Sequence, residues 1–158
     1  MAFEKARAFL AERGMEDRIL QFDVSSATVE LAAAAIGCAP QRIAKSLTFL
    51  TANGPVMVVC AGDAKIANPK YKAQFGEKAK MLSREEVTAL IGHDVGGVCP
   101  FGINDGVRVY LDVSLKRFDV VYPACGNASS AVRLTPDELE NLSNAIGWID
   151  VCAIPEIM

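Results

Sequence analysis

Histidine is almost missing from this chain: His93 stands alone among 158 residues. Nucleophilic devices of the Ser–His–Asp or Cys–His kind need an imidazole to take the nucleophile's proton, so His93 is the one residue able to serve such a device. It lies in Ile91-Gly92-His93-Asp94, just past a predicted helix end, where a histidine ordinarily bonds the last free carbonyls. No Gly-x-Ser-x-Gly elbow and no P-loop is present, which argues against α/β-hydrolase chemistry and nucleotide hydrolysis. Cys38, Cys60, Cys99, Cys125 and Cys152 are odd in number and form no Cys-x-x-Cys pair, which fits reduced thiols and no disulfide framework. With one histidine and scattered thiols, neither a metal nor a cofactor is expected. Long apolar runs are lacking too. Leu31–Ile36 and Val56–Ala61 are too short to span a bilayer, and charges throughout Met1–Arg13 leave no signal-peptide core. Nor is there a basic excess: the net charge is −3, so any contact with nucleic acid must come from a local patch. A cytoplasmic protein without a membrane partner is the expectation.

What remains describes a folded globule: 51% hydrophobic, 22% charged, mean hydropathy +0.24, and a length suited to one domain over residues 1–158. Helix-like and strand-like segments alternate, as in a mixed α/β domain. Phe3–Arg13 predicts a helix ended by Gly14, and Ile19–Val24 a strand. Ser25, Ser26 and Thr28 offer caps for a helix through Ile36 that Gly37 stops. Asn53-Gly54 between Ser46–Leu50 and Pro55–Cys60 predicts a hairpin. Asn68-Pro69 opens a short helix to Phe75-Gly76. Capping boxes at Ser83–Glu86 and Thr135–Glu138 open helices expected to reach Gly92 and Gly147. Val107–Val113 and Asp119–Tyr122 predict further strands.

Three stretches can carry chemistry. Gly96-Gly97-Val98-Cys99-Pro100-Phe101-Gly102 is a shaped loop whose N–H groups can meet a ligand without a Cβ in the way; the plain alternative is a tight turn. Lys45, in Ile43-Ala44-Lys45-Ser46-Leu47, is either a solvent-facing charge at a strand start or a pocket ammonium that anchors an anionic group. Cys125-Gly126-Asn127-Ala128-Ser129-Ser130 is a small polar turn that either lines a pocket or is a simple loop. Cys99 reads as a small buried hydrophobe, or as a thiolate if a cation or helix N-terminus lowers its pKa. Residues 65–84 hold Lys65, Lys70, Lys72, Lys78, Lys80 and Arg84 against Glu77 alone, a candidate phosphate track or a solvated surface.

Taken in order, Ser26-Ala27-Thr28-Val29-Glu30, Gly37, Ile43–Leu47, Gly96–Gly102, Tyr110-Leu111-Asp112, Gly126 and Leu134–Leu139 resemble the YbaK/EbsC family, whose relatives include the editing (INS) domain of bacterial prolyl-tRNA synthetases. The likeness spans nearly the whole chain. It implies an α+β fold with a mixed six- to seven-stranded half-barrel sheet surrounded by helices. It implies a trans-editing aminoacyl-tRNA deacylase that hydrolyses the ester of a mischarged tRNA, with tRNA-Pro or a similar tRNA expected. Lys45 and Gly96 map to the catalytic positions. Substrate binding is implied for Lys45, Ser46, Gly96, Gly97, Val98, Cys99, Pro100, Gly126 and Ser129. The attacking group is a positioned water, or the substrate's own thiol for a cysteinyl ester. Expected partners are a mischarged tRNA and a prolyl-tRNA synthetase, with the chain a monomer or weak dimer. The alternatives are a non-catalytic tRNA- or synthetase-binding module and a thiol-dependent enzyme using Cys99. Members acting on cysteinyl-tRNA carry an acid where this chain has Ala131; alanine-specific members tend to have asparagine after the lysine, where this chain has Ser46, and a histidine near the C-terminal turn, which this chain lacks. Amino-acid specificity is therefore transferred from neither group.

Overall fold

The computed structural model describes residues 2–155. Helix α1 (Ala2–Ala11) leads through a 310 turn (Glu16–Arg18) to β1 (Ile19–Gln21) and α2 (Val29–Ile36). A second 310 turn (Pro40–Arg42) opens the hairpin β2 (Ile43–Thr51) and β3 (Gly54–Ala61), followed by β4 (Lys65–Ile66) and α3 (Asn68–Phe75). Helix α4 (Arg84–Glu86) widens into a π turn (Val87–Ile91). Then come β5 (Arg108–Asp112), a 310 turn (Val113–Arg117), β6 (Tyr122–Pro123), β7 (Ser130–Val132), α5 (Pro136–Ser143), β8 (Gly147–Ile149) and β9 (Cys152–Ala153).

The main sheet runs β6-β2-β3-β5-β8 and curls into a half-barrel. Only the β2–β3 pair is antiparallel; β6 lies parallel to β2, β5 to β3, and β8 to β5. The central strand explains the order. Val56, Met57, Val58, Val59, Cys60 and Ala61 are all fully buried, and a strand covered on both faces must be continuously apolar. Tyr71 of α3 packs on Phe49 of β2 with ring centroids 5.0 Å apart, and Phe75 and Tyr110 extend the stack. Helix α2 lays Ala32 and Ala33 over Ile43 at the start of β2.

The ladder holds five strands where six or seven are expected. The antiparallel β1–β7 pair reaches β6 through two single bridges, Val121↔Leu134 and Ala124↔Ala131. Strand β6 is two residues long and includes Pro123, which has no N–H to extend a ladder. The expected Asp119–Tyr122 strand shrinks accordingly, because Asp119 is drawn off by Arg42 at 2.8 Å. The last helix stops at Ser143, since Asn144 turns left-handed with φ 52°, which frees Gly147-Trp148-Ile149 to form β8. In the β2–β3 turn, Thr51 pairs with Gly54, so the central residues are Ala52-Asn53 and not Asn53-Gly54. Both capping boxes form as read, on Ser83 with Glu86 and on Thr135 with Glu138.

Candidate functional site

The outer edge of β2 is interrupted. At its start, Ile43 and Ala44 pair with β6. Farther along, Leu50 N–H donates to Lys80 O at 2.8 Å and Leu82 N–H to Thr48 O at 3.1 Å. Backbone groups alternate sides along a strand, so the even-numbered residues face this edge, and Ser46 falls in the gap between the two pairings.

A cavity of about 360 Å3 opens at that gap. Its floor is Ile43–Thr48; its walls are Ser26–Val29 and Ala32 at the head of α2, Met81, Leu82 and Val87, the loop at Val95, Gly96 and Val98, and Tyr122, Ala124, Ser130 and Ala131. Three loops are locked to make it. Ser26 N–H donates to Ala128 O at 2.6 Å, and Gly126 N–H to Gly97 O at 3.0 Å. A Cβ on Gly97 would lie 2.4 Å from Asn127 N, so only glycine lets these backbones touch. Gly96 has φ +103° and faces Ala27 and Ala128. Gly97 N–H is committed to Asp94 O at 3.1 Å, whereas the N–H groups of Gly96 and Val98 have no partner among the described residues.

Among the described residues, Lys45 is the one charged residue in the cavity wall. Its half-buried ammonium reaches Gly62 O at 3.3 Å, and no carboxylate pairs with it among the described residues. Gly62 is required there, because a Cβ would sit 2.1 Å from Pro40 O. Thr28 caps α2 by accepting from Leu31 N–H at 3.1 Å, and the positive end of that helix adds to the potential made by Lys45.

The cavity wall therefore brings together Lys45, Ser46, Gly96 and Val98. Gly97, Cys99, Pro100 and Gly126 are buried behind it, and Ser129 stands outside it. Ser129 and Ser130 instead close a turn on Asn127 Oδ1. Ser26, the Met81–Leu82 pair and the small Ala124 and Ala131 complete the lining; only tertiary pairing brings in Met81, Leu82 and Ala124, and no local pattern announces these three.

Cys99 does not support thiol chemistry. It is fully buried, and desolvation drives its pKa far above the ordinary thiol range. His93 Nε2 lies 3.5 Å from its sulfur but only 2.7 Å from Phe101 O. That nitrogen must carry the proton it donates, so it cannot take one from the thiol. His93 thus bonds the Phe101 carbonyl and not the end of the preceding helix. Burial holds its pKa down.

Of the basic stretch, Lys65, Lys70, Lys72, Lys78 and Lys80 are all exposed. Lys70 pairs with Asp150 at 3.0 Å. Lys80 is the nearest in sequence to the cavity, next to Met81. Among the described residues no group of His, Cys, Asp and Glu could hold a metal, and no helix is long and apolar enough to cross a membrane.

Residues 24–142, which include every cavity-lining segment, match the sequence model of the aminoacyl-tRNA editing domain. The chain is 50% identical over 153 residues to the uncharacterized protein YwhH of Bacillus subtilis, covering 96% of this chain and 98% of that one. It is 32% identical over 90 residues to the proline–tRNA ligase of Kosmotoga olearia, covering 56% of this chain but 16% of the ligase, so it corresponds to a small part of that enzyme. A crystal structure described as a candidate trans-editing enzyme for prolyl tRNA synthetase superposes with a TM-score of 0.87 at 29% identity, covering 96% of this chain and 97% of that one.

Proposed function

The chain belongs to the aminoacyl-tRNA editing domain family, and on that premise we propose that it is a trans-acting deacylase that removes a wrong amino acid from tRNA. The observation that carries this reading is Lys45, a half-buried ammonium in one cavity with Gly96 and Val98; among the described residues Lys45 has no carboxylate partner and the two N–H groups have no acceptor.

An aminoacyl ester is already activated, so positioning and oxyanion stabilisation go far. Lys45 holds the terminal phosphate or ribose of the tRNA. The N–H groups of Gly96 and Val98 receive the oxyanion as water adds to the carbonyl carbon. The C–O bond to the ribose then breaks, and the ribose oxygen leaves with a proton. Water is placed, not strongly activated, since among the described residues no carboxylate or imidazole lines the cavity. Lys65, Lys70, Lys72, Lys78 and Lys80 provide phosphate contacts along the tRNA, with Lys80 beside the mouth. The tRNA-Pro acceptor is the expected substrate, and a prolyl-tRNA synthetase the expected partner.

The test is deacylation of a panel of mischarged tRNAs by the wild type and by Lys45→Ala. At least one rapidly hydrolysed substrate, with most of that activity lost in the variant, supports the reading. One observation favours a second reading, a module that binds tRNA or a synthetase without turnover: Ala131 lines the cavity where some members carry an acid. Saturable binding with no hydrolysis across the panel would establish it.

A further inference from the structure

His93 takes no part in the steps above, yet it is the chain's one histidine and is 1% exposed. It does not line the cavity. Its Nε2 donates to Phe101 O at 2.7 Å, and its Nδ1 is buried without a partner among the described residues. Residues 93 and 101 bracket the loop that carries Gly96 and Val98. The bond therefore spans the base of the loop, from its entry to its exit. Main-chain bonds do not duplicate it. Gly97 N–H turns back to Asp94 O at 3.1 Å within the loop, and Asn104 N–H meets Ile91 O at 2.9 Å outside it. Among the described residues no main-chain bond joins 93–95 to 99–101. Cys99 Sγ adds a weak bond to the same Phe101 carbonyl at 3.7 Å.

The two arms of the loop lean on different elements. On the entry arm, Thr88 Oγ1 of the π turn donates to Asp94 Oδ1 at 3.2 Å. Past the exit arm, Gly102 packs so closely on α1 that a Cβ would lie 2.8 Å from the Lys5 carbonyl. The imidazole couples these two supports. We propose that His93 is a positioning residue: acting through Phe101, it keeps the Gly96 and Val98 N–H groups aimed at the point where the oxyanion forms. This rests on the deacylase reading above. Donors that serve a transition state must be preorganised, and a small misplacement set by a residue away from the reacting atoms is costly. Lys45 stands on β2, so holding the tRNA end does not depend on the spacing of the loop arms. The two contributions therefore separate, His93 in kcat and Lys45 in KM. The unpartnered Nδ1 gives the role a direction, because only a donor at the Nε2 position reaches Phe101. A glutamine amide extends that far, whereas an asparagine amide extends only to the place of Nδ1.

The test is steady-state deacylation by wild type, His93→Gln, His93→Asn and His93→Leu, using the mischarged tRNA that the wild type hydrolyses fastest. It is run at a temperature at which circular dichroism shows each variant folded. The asparagine and leucine variants should lose roughly ten- to a hundredfold in kcat with little change in KM. The glutamine variant should keep most of kcat. A second measurement needs no variant to fold: the wild type has a single imidazole, and its 15N spectrum should show the proton on Nε2 and none on Nδ1. Full kcat in the leucine variant, a glutamine variant as slow as the leucine one, a loss that falls in KM, or a proton on Nδ1 in place of Nε2 would overturn the proposal and leave the deacylase reading intact. A wild type that hydrolyses no ester would overturn both.

Discussion

Lys45→Ala separates an anchoring role from a structural one. In the folded protein the side chain makes one long contact, 3.3 Å to Gly62 O. Losing a bond of that kind costs on the order of 1 kcal/mol or less. For a chain of this size that lowers the unfolding midpoint by about 2–4 °C. The catalytic effect should be larger. A charge-assisted contact to the tRNA end is worth roughly 1.5–3 kcal/mol, and at about 1.36 kcal/mol per tenfold this corresponds to a loss of roughly 10- to 150-fold in kcat/KM. Because Lys45 holds the tRNA end in ground and transition states alike, most of the loss should fall in KM. Steady-state deacylation at fixed pH reads the split, and thermal unfolding reads the stability. Lys45→Arg should recover part of the activity, since charge returns but the planar fork does not reproduce a compact ammonium. Full kcat/KM in Lys45→Ala would refute an anchoring role, as would a loss of activity only in step with a large loss of stability.

Four further outcomes follow from the structure. Gly97→Ala must push the 94–100 loop off Asn127, since its Cβ would lie 2.4 Å from that backbone nitrogen; urea unfolding should show a loss of about 1–3 kcal/mol. Gly14→Ala, with open space around it, should cost only the left-handed strain of its φ of +74°, about 1–2 kcal/mol. The Glu138 carboxyl is held below the ordinary carboxylate range, first by the Thr135 N–H and then by Arg18. A depressed acid adds stability that is complete above its unfolded value of about 4.3 and lost as the pH falls through its folded value. Urea unfolding of wild type and Glu138→Gln should therefore differ at pH 7 and converge toward pH 3. Finally, a thiol reagent should modify half-buried Cys38 in the native protein and leave buried Cys60, Cys99, Cys125 and Cys152 unreacted until unfolding, while Cys99→Ala should retain deacylation.

What could be read before the structure was local. The capping boxes at Ser83 and Thr135 and the glycine stop at Gly37 depend on residues within a few positions of one another, and all three formed. Strand β8 was hidden because Gly147-Trp148-Ile149 gains its partner from β5, far away in sequence. The sheet count differs for a similar reason: whether β1 and β7 join the ladder depends on Pro123, not on their own propensity. At the site, Lys45 and Gly96 stood out as a charge at the mouth of an apolar run and a glycine loop. Met81, Leu82 and Ala124 did not, because the gap in the β2 edge that makes them neighbours exists only once β6 and residues 80–82 have paired on either side of it.

The most direct test of the account is single-turnover hydrolysis of a panel of mischarged tRNAs by the intact wild-type chain, with correctly charged prolyl-tRNA as the control. The account predicts rapid release of at least one non-cognate amino acid while prolyl-tRNA stays intact. Release at the uncatalysed rate for every ester in the panel would contradict it.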